Sequence, residues 1–241
     1  MNEDLRQKAI NYFRQKAEAG DKVVYRLFDS APPEISIQQI AASAEAEGSI
    51  GIDEFSKTAN LSALYSTIKD CQKCQLGRTR TRFVFGVGNP KAEIMFIGEA
   101  PGHDEDIQGE PFVGRAGQLL NRILAAMDLK REDVYIANIL KCRPPNNRDP
   151  LPEEAETCEP YLMHQVKLIR PKIICCLGRI AAQRLLRTNM TLGQMRERWF
   201  SYGEAILMVT YHPAAVLRSQ QYKKPLWDDM QKMLAKLKEL T

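Results

Sequence analysis

The chain has 241 residues, 44% hydrophobic and 27% charged, enough for one well-buried domain plus an appendage and unlike a fibrous or disordered chain. No apolar run reaches the roughly 18 to 20 residues of a membrane-spanning helix, and the charged opening Met1-Asn2-Glu3-Asp4-Leu5-Arg6 lacks a signal peptide's apolar core; a cytoplasmic protein is expected. The formal net charge is +4, but residues 1–60 hold 7 Lys/Arg against 10 Asp/Glu and the remainder 27 against 20, so the basic part is the part that would meet phosphate.

Residues 2–18 carry Leu5, Ile10 and Phe13 among alternating charges, a surface-helix pattern that stops at Gly20. Residues 28–60 are rich in Ala, Ser, Glu and Pro without firm periodicity, which reads as a linker with some helix. The expected organisation is therefore an N-terminal extension over 1–60, available to a protein partner, and a folded domain over 61–241. Four apolar runs follow, Ala92–Ile97, Val134–Leu140, Lys172–Leu177 and Ala205–Thr210, separated by helix-length segments. Such alternation requires crossover connections, hence a mainly parallel sheet covered by helices on both faces. Each run ends in a polar or glycine-bearing cluster: Gly98-Glu99-Ala100-Pro101-Gly102, Asn138 to Arg148, Gly178-Arg179 and His212-Pro213. Ligands of parallel sheets bind at the C-terminal strand ends, so these clusters should converge on one cleft. The last helix, about Leu226 to Leu240, places Met230, Met233, Leu234 and Leu237 on one stripe that reads as core.

Six cysteines in a reducing compartment are read for metal rather than for disulfides. Cys71 and Cys74 form a C-x2-C pair before the first strand; Cys142 follows the second strand, and Cys158 comes after fifteen intervening residues. Four thiolates so placed suit either zinc or an iron–sulfur cluster, and the spacing leaves both open. Cys175 and Cys176 lie inside an apolar run and read as small core side chains.

The combination of Cys71-x2-Cys74, Gly98 to Gly102, Gly109-Glu110-Pro111-Phe112-Val113-Gly114-Arg115-Ala116-Gly117, Asn138 to Cys142-Arg143-Pro144-Pro145, Cys158 and His212-Pro213-Ala214-Ala215 resembles the family-four uracil-DNA glycosylases, from about residue 61 to the C-terminus. The resemblance implies a three-layer α/β/α domain with a four-stranded mainly parallel sheet, and a [4Fe–4S] cluster on Cys71, Cys74, Cys142 and Cys158 that is structural rather than redox-catalytic. It also implies a pocket for uracil flipped out of single- or double-stranded DNA, and a monomeric, nucleoid-associated enzyme of base excision repair.

The resemblance also assigns roles. An extruded base needs stacking and edge hydrogen bonds; Gly98, Ala100, Glu105, Phe112, Asn138 and His212 would line the uracil pocket. Phe112 would stack on the ring. The Asn138 carboxamide would accept from N3–H and donate to O4, the pattern that cytosine inverts. Glu105 would stand near the C5 edge, where thymine carries its methyl. His212 would donate to O2 as the base departs with negative charge, its tautomer unreadable from sequence. Ala100 stands where other uracil-DNA glycosylases carry a water-activating aspartate, leaving Glu99, with Asn147, as the group that would hold water or the loop. Val216 and Leu217 would fill the gap left by the flipped nucleotide, while Arg78, Arg80, Arg143, Arg148 and Arg218, with Lys141, would meet the DNA backbone. Two other readings remain: a non-catalytic cluster- or zinc-bearing nucleic-acid module, for which a uracil edge reader would be superfluous, and covalent capture of the sugar, for which the histidine-bearing insertion after Gly117 is missing.

Overall fold

The computed structural model describes residues 54–240; the helix expected over 2–18 and the linker expected over 28–60, apart from its last seven residues, lie outside them. Four parallel strands form the centre of the domain: β2 (Ile94–Gly98), β3 (Tyr135–Asn138), β4 (Ile173–Leu177) and β6 (Ala205–Thr210). They coincide with the four apolar runs because strands buried on both faces need continuous apolar sequence. The sheet is nevertheless six-stranded, since β1 (Val87–Gly88) and β5 (Phe200–Tyr202) add antiparallel edges in the order β1-β3-β2-β4-β6-β5. Both edges are short and only partly buried, so they leave no apolar run to find.

Side chains alternate across the sheet. Met95, Ile97, Ile174, Cys176, Leu207 and Val209 join one core, Ile94, Phe96, Ile173, Cys175 and Met208 the other. Cys175 and Cys176 are completely buried on opposite faces. Over the first core lie α1 (Leu61–Ile68), α5 (Pro152–Ile169) and α6 (Arg179–Leu186); over the second lie α4 (Arg115–Ala126), α8 (Pro213–Arg218) and α9 (Lys223–Leu240). This is the expected three-layer α/β/α arrangement. Met230 and Met233 of α9 are buried, as their spacing implied. Upstream of Leu61 the described residues also hold the 3-10 turn Glu54–Lys57, whose Phe55 packs edge-on against Tyr161 with ring centroids 4.8 Å apart. None of the helices among the described residues is long and apolar enough to cross a membrane.

The connection from β2 steps to β3 on one side, and the chain then passes β2 to place β4 on its other side. That reversal is where ligands bind in open α/β sheets. Short helices α2 (Leu76–Thr79), α3 (His103–Gln108) and α7 (Leu192–Met195) complete the described fold.

Candidate functional site

The strand-end clusters do converge, on a cleft of about 660 Å³ whose lining includes Glu99, Ala100, Phe112, Asn138, Gly178 and His212. Gly98, at the end of β2, lies directly against two of the lining side chains, Asn138 and Phe112. It pairs in register with Asn138 across β2 and β3, and a Cβ there would collide with Asn138 Oδ1 and sit 2.7 Å from Phe112 Cζ. Glycine is what lets the amide and the aromatic ring close over the strand end. Asn138 is 2% exposed, yet its Oδ1 has no hydrogen-bond partner. A buried acceptor left empty costs about 1–3 kcal/mol, which a donor entering the cleft would recover. The Phe112 ring lies 5.5 Å from the His212 ring at an interplanar angle of 33°. One flat heterocycle could therefore meet an aromatic face, an amide and an imidazole together.

Phe112 adopts a left-handed backbone with φ of 54°, uncommon for an aromatic residue. Its loop is held from two sides. The Glu105 carboxylate accepts from the N–H groups of Val113 at 2.9 Å, Gly114 at 3.0 Å and Gly102 at 3.1 Å. The Arg131 guanidinium donates to the Pro111 carbonyl, to the Phe112 carbonyl at 3.1 Å and to Asn121 Oδ1 at 3.2 Å. Glu105 lines the cleft, but its oxygens are committed to the loop backbone rather than free at a C5 edge. Glu105 thus fixes the loop that carries the aromatic while lining the cleft.

His212 caps α8. Its Nδ1 accepts from the Ala214 N–H at 3.1 Å, so Nδ1 carries no proton and the neutral ring bears its hydrogen on Nε2. Burial and the nearby Arg218 push the imidazole down to about 4, keeping it neutral near pH 7. The strand end before it is clamped: buried Asp229 of α9 accepts from Thr210 Oγ1 at 2.5 Å and from Arg196 Nε and Nη2 at 3.0 Å each, while Arg196 also lies 4.4 Å from the Tyr211 ring.

Glu99 follows Gly98 and lines the cleft. Burial, then the charge of Asp149, raise its carboxyl to about 7 against the opposing pull of Arg179. A carboxylate so tuned exchanges protons near neutrality. Asn147 lines the cleft from its exposed rim in a left-handed conformation, φ 53°, and its Oδ1 accepts from Arg143 Nε at 2.8 Å.

The basic residues divide. Arg218 borders the cleft, Arg143 stands behind its rim against the lining residues Asn147 and His103 at 2.8 and 3.2 Å, and exposed Arg78 lies beside the cysteine loop. Three others are engaged inside the fold. Arg80 donates to the Lys69 and Cys71 carbonyls at 2.9 and 2.6 Å and to Cys142 Sγ at 3.2 Å. Arg148, although it reaches the cleft, makes a bidentate pair with Glu154 at 2.8 and 2.6 Å, anchoring the start of α5. Lys141 is fully buried, donating to the Asn138 carbonyl at 2.9 Å and to Gln165 Oε1 at 2.6 Å. Val216 is 3% exposed in the core beneath α8, leaving half-buried Leu217 as the wedge candidate. Two arginines that the sequence reading passed over, Arg115 and Arg179, also line the cleft. Each follows a glycine that caps a helix, Gly114 for α4 and Gly178 for α6, a Gly-Arg repeat that could have flagged them.

Cys71 and Cys74 lie between α1 and α2, Cys142 follows β3 and Cys158 sits in α5. All six cysteines are free thiols. Donors point at three of these four sulfurs: Tyr161 Oη to Cys71 at 3.2 Å, Arg80 to Cys142, and the Lys141 N–H to Cys158 at 3.3 Å. Burial pushes Cys142 up to about 11 and Cys158 up to about 12, and each also responds to the charge of its neighbours in the set. Among the described residues no three His, Cys, Asp or Glu side chains close around one ion position. The four sulfurs lie near enough to influence one another's ionisation, and a set of four cysteine sulfurs with N–H and O–H donors is the chemistry that holds zinc or an iron–sulfur cluster.

The uracil DNA glycosylase superfamily model matches residues 85–235. The chain is 49% identical over 185 residues to the type-4 uracil-DNA glycosylase of Archaeoglobus fulgidus, covering 72% of this chain and 92% of the relative. It is also 49% identical to the type-4 enzyme of Saccharolobus solfataricus, covering 72% and 85%, and 44% identical to that of Pyrobaculum aerophilum, covering 73% and 92%.

Proposed function

The chain belongs to the uracil DNA glycosylase superfamily and, within it, to the type-4 uracil-DNA glycosylases, and from that premise we propose how its cleft removes uracil from DNA and leaves an abasic site for base excision repair. The observation that carries the assignment of roles is the empty buried acceptor Asn138 Oδ1 beside the Phe112 ring. Extruded uracil offers it N3–H, and the amide nitrogen of the same side chain donates to O4. Cytosine, with an unprotonated N3 and an amino group, would leave both partners mismatched.

The bond between N1 and C1′ then breaks with its electron pair moving into the base. Charge gathers on O2, where the Nε2–H of His212 donates, the tautomer that the Ala214 contact enforces. Such a preorganised donor stabilises the departing anion without reorganisation. Water adds to C1′ and gives up a proton; Glu99, raised to about 7, orients that water and takes the proton, with Asn147 closing the rim. Phe112 holds the ring plane, and Gly98 and Ala100 leave room for it.

Cys71, Cys74, Cys142 and Cys158 would hold a [4Fe–4S] cluster, which when bound supplies a cross-link between three segments and no step of the reaction. DNA reaches the cleft along Arg78, Arg115, Arg143, Arg179 and Arg218, with Leu217 as the wedge.

The test is incubation with a single strand containing one uracil, followed by alkali. Wild-type protein should cut at uracil, and His212→Ala should lose about 10²-fold in rate or more while still binding the strand. An inert wild type would remove the hydrolase, and unchanged turnover of His212→Ala would remove the imidazole.

A further inference from the structure

Arg131 lies in the turn between α4 and β3, outside the cleft lining, yet its guanidinium is spent on the loop that carries Phe112. One face of that loop offers carbonyls, Pro111 and Phe112, and both accept from Arg131. The other offers N–H groups, Val113 and Gly114, and both donate to Glu105. A cation and an anion thus grip successive peptide groups of one aromatic residue in a left-handed conformation. Backbone in that region persists only where its surroundings over-determine it. The third Arg131 contact, Asn121 Oδ1, lies one turn along α4 from Gly117, where a Cβ would run into the Phe112 carbonyl. Gly117 admits the carbonyl, and Asn121 aims the guanidinium at it.

We propose that Arg131 is a positioning residue of the glycosylase: its fork fixes the Pro111–Phe112 backbone against α4 and thereby sets the plane of the ring on which extruded uracil stacks. The inference rests on the stacking role given to Phe112 above. It requires a planar fork with several donors, which lysine cannot reproduce because its ammonium acts as a point charge. Misplacing a substrate-orienting group by about 1 Å can cost on the order of 10²-fold in rate, so loss of the fork should be visible in turnover although Arg131 touches no substrate.

The experiment is a double-mutant cycle on the full chain, read by single-turnover uracil release and by amide hydrogen exchange. Arg131→Met should slow release by about 10- to 100-fold, and Arg131→Lys should recover only part of it. In a Phe112→Ala background the same change should cost less than about twofold, because a residue that acts through Phe112 has nothing left to position. Exchange should quicken at Val113 and Gly114 but not in β3. Equal losses in both backgrounds, or full activity of Arg131→Met, would overturn the proposal. Should Arg131→Met not fold, the cycle with Arg131→Lys decides on the same criteria. A wild type that releases no uracil would instead overturn the proposed function, and exchange unchanged at Val113 and Gly114 in the variant would still refute the clamp.

Discussion

At the scale of single residues, Glu99 and His212 are tuned in opposite senses, and the difference assigns the acidic limb of the reaction. The imidazole is held down to about 4, so it is neutral and donates through Nε2 over the whole range above that. Glu99 is raised to about 7, so its water-accepting carboxylate form is lost as pH falls below that value. The single-turnover rate should therefore rise about tenfold per pH unit up to about 7 and level off above it. Glu99→Gln should lower the plateau and abolish the slope. A flat profile between pH 5.5 and 8.5 in the wild type would leave Glu99 as a loop fixture. That Asn138, Phe112 and His212 line one cleft was legible in sequence because strand ends and motif order located them. The tautomer of His212 and the true partners of Glu105 were not, because both depend on backbone N–H groups that no side-chain pattern reports.

At the scale of elements, the four parallel strands were legible since double-sided burial writes continuous apolar runs. The two edge strands were not: Val87–Gly88 and Phe200–Tyr202 are too short and too exposed to carry a period. The internal partners of the basic residues were not legible for a related reason, as composition counts charges without showing which ones helices and loops engage. Arg80 and Lys141 serve the cysteine segments, and Arg148 serves α5. Those segments already share a core through Ile68, Leu76, Leu140 and Tyr161, and iron on the four cysteines is the predicted further cross-link. Purified protein should be brown, with about four iron and four sulfide per chain. Stripping the iron should lower the thermal midpoint and quicken exchange first in residues 69–80 and 141–148, with the β2 and β4 amides still protected. Stoichiometric zinc in a colourless protein, or identical exchange before and after stripping, would defeat the assignment.

For the molecule as a whole, the interaction with DNA depends on which cations remain available once the fold has used its share. Five arginines form the proposed track, Arg78, Arg115, Arg143, Arg179 and Arg218, of which Arg143 and Arg179 hold partners at the cleft rim, Asn147 and Asp149. Arg115 and Arg179 stand where α4 and α6 begin, so the positive ends of two helix dipoles reinforce them. Each phosphate neutralised on a single strand contributes about 0.7 to the slope of log affinity against log salt. Arg115→Ala and Arg179→Ala should each reduce that slope by about 0.7 and weaken binding alike for uracil-containing and uracil-free strands. Arg148→Met, whose guanidinium is already paired with Glu154, should leave the slope unchanged even where it lowers stability. If Arg148→Met changed the slope and Arg115→Ala did not, the strand would follow the α5 side of the cleft rather than the rim between α4 and α6.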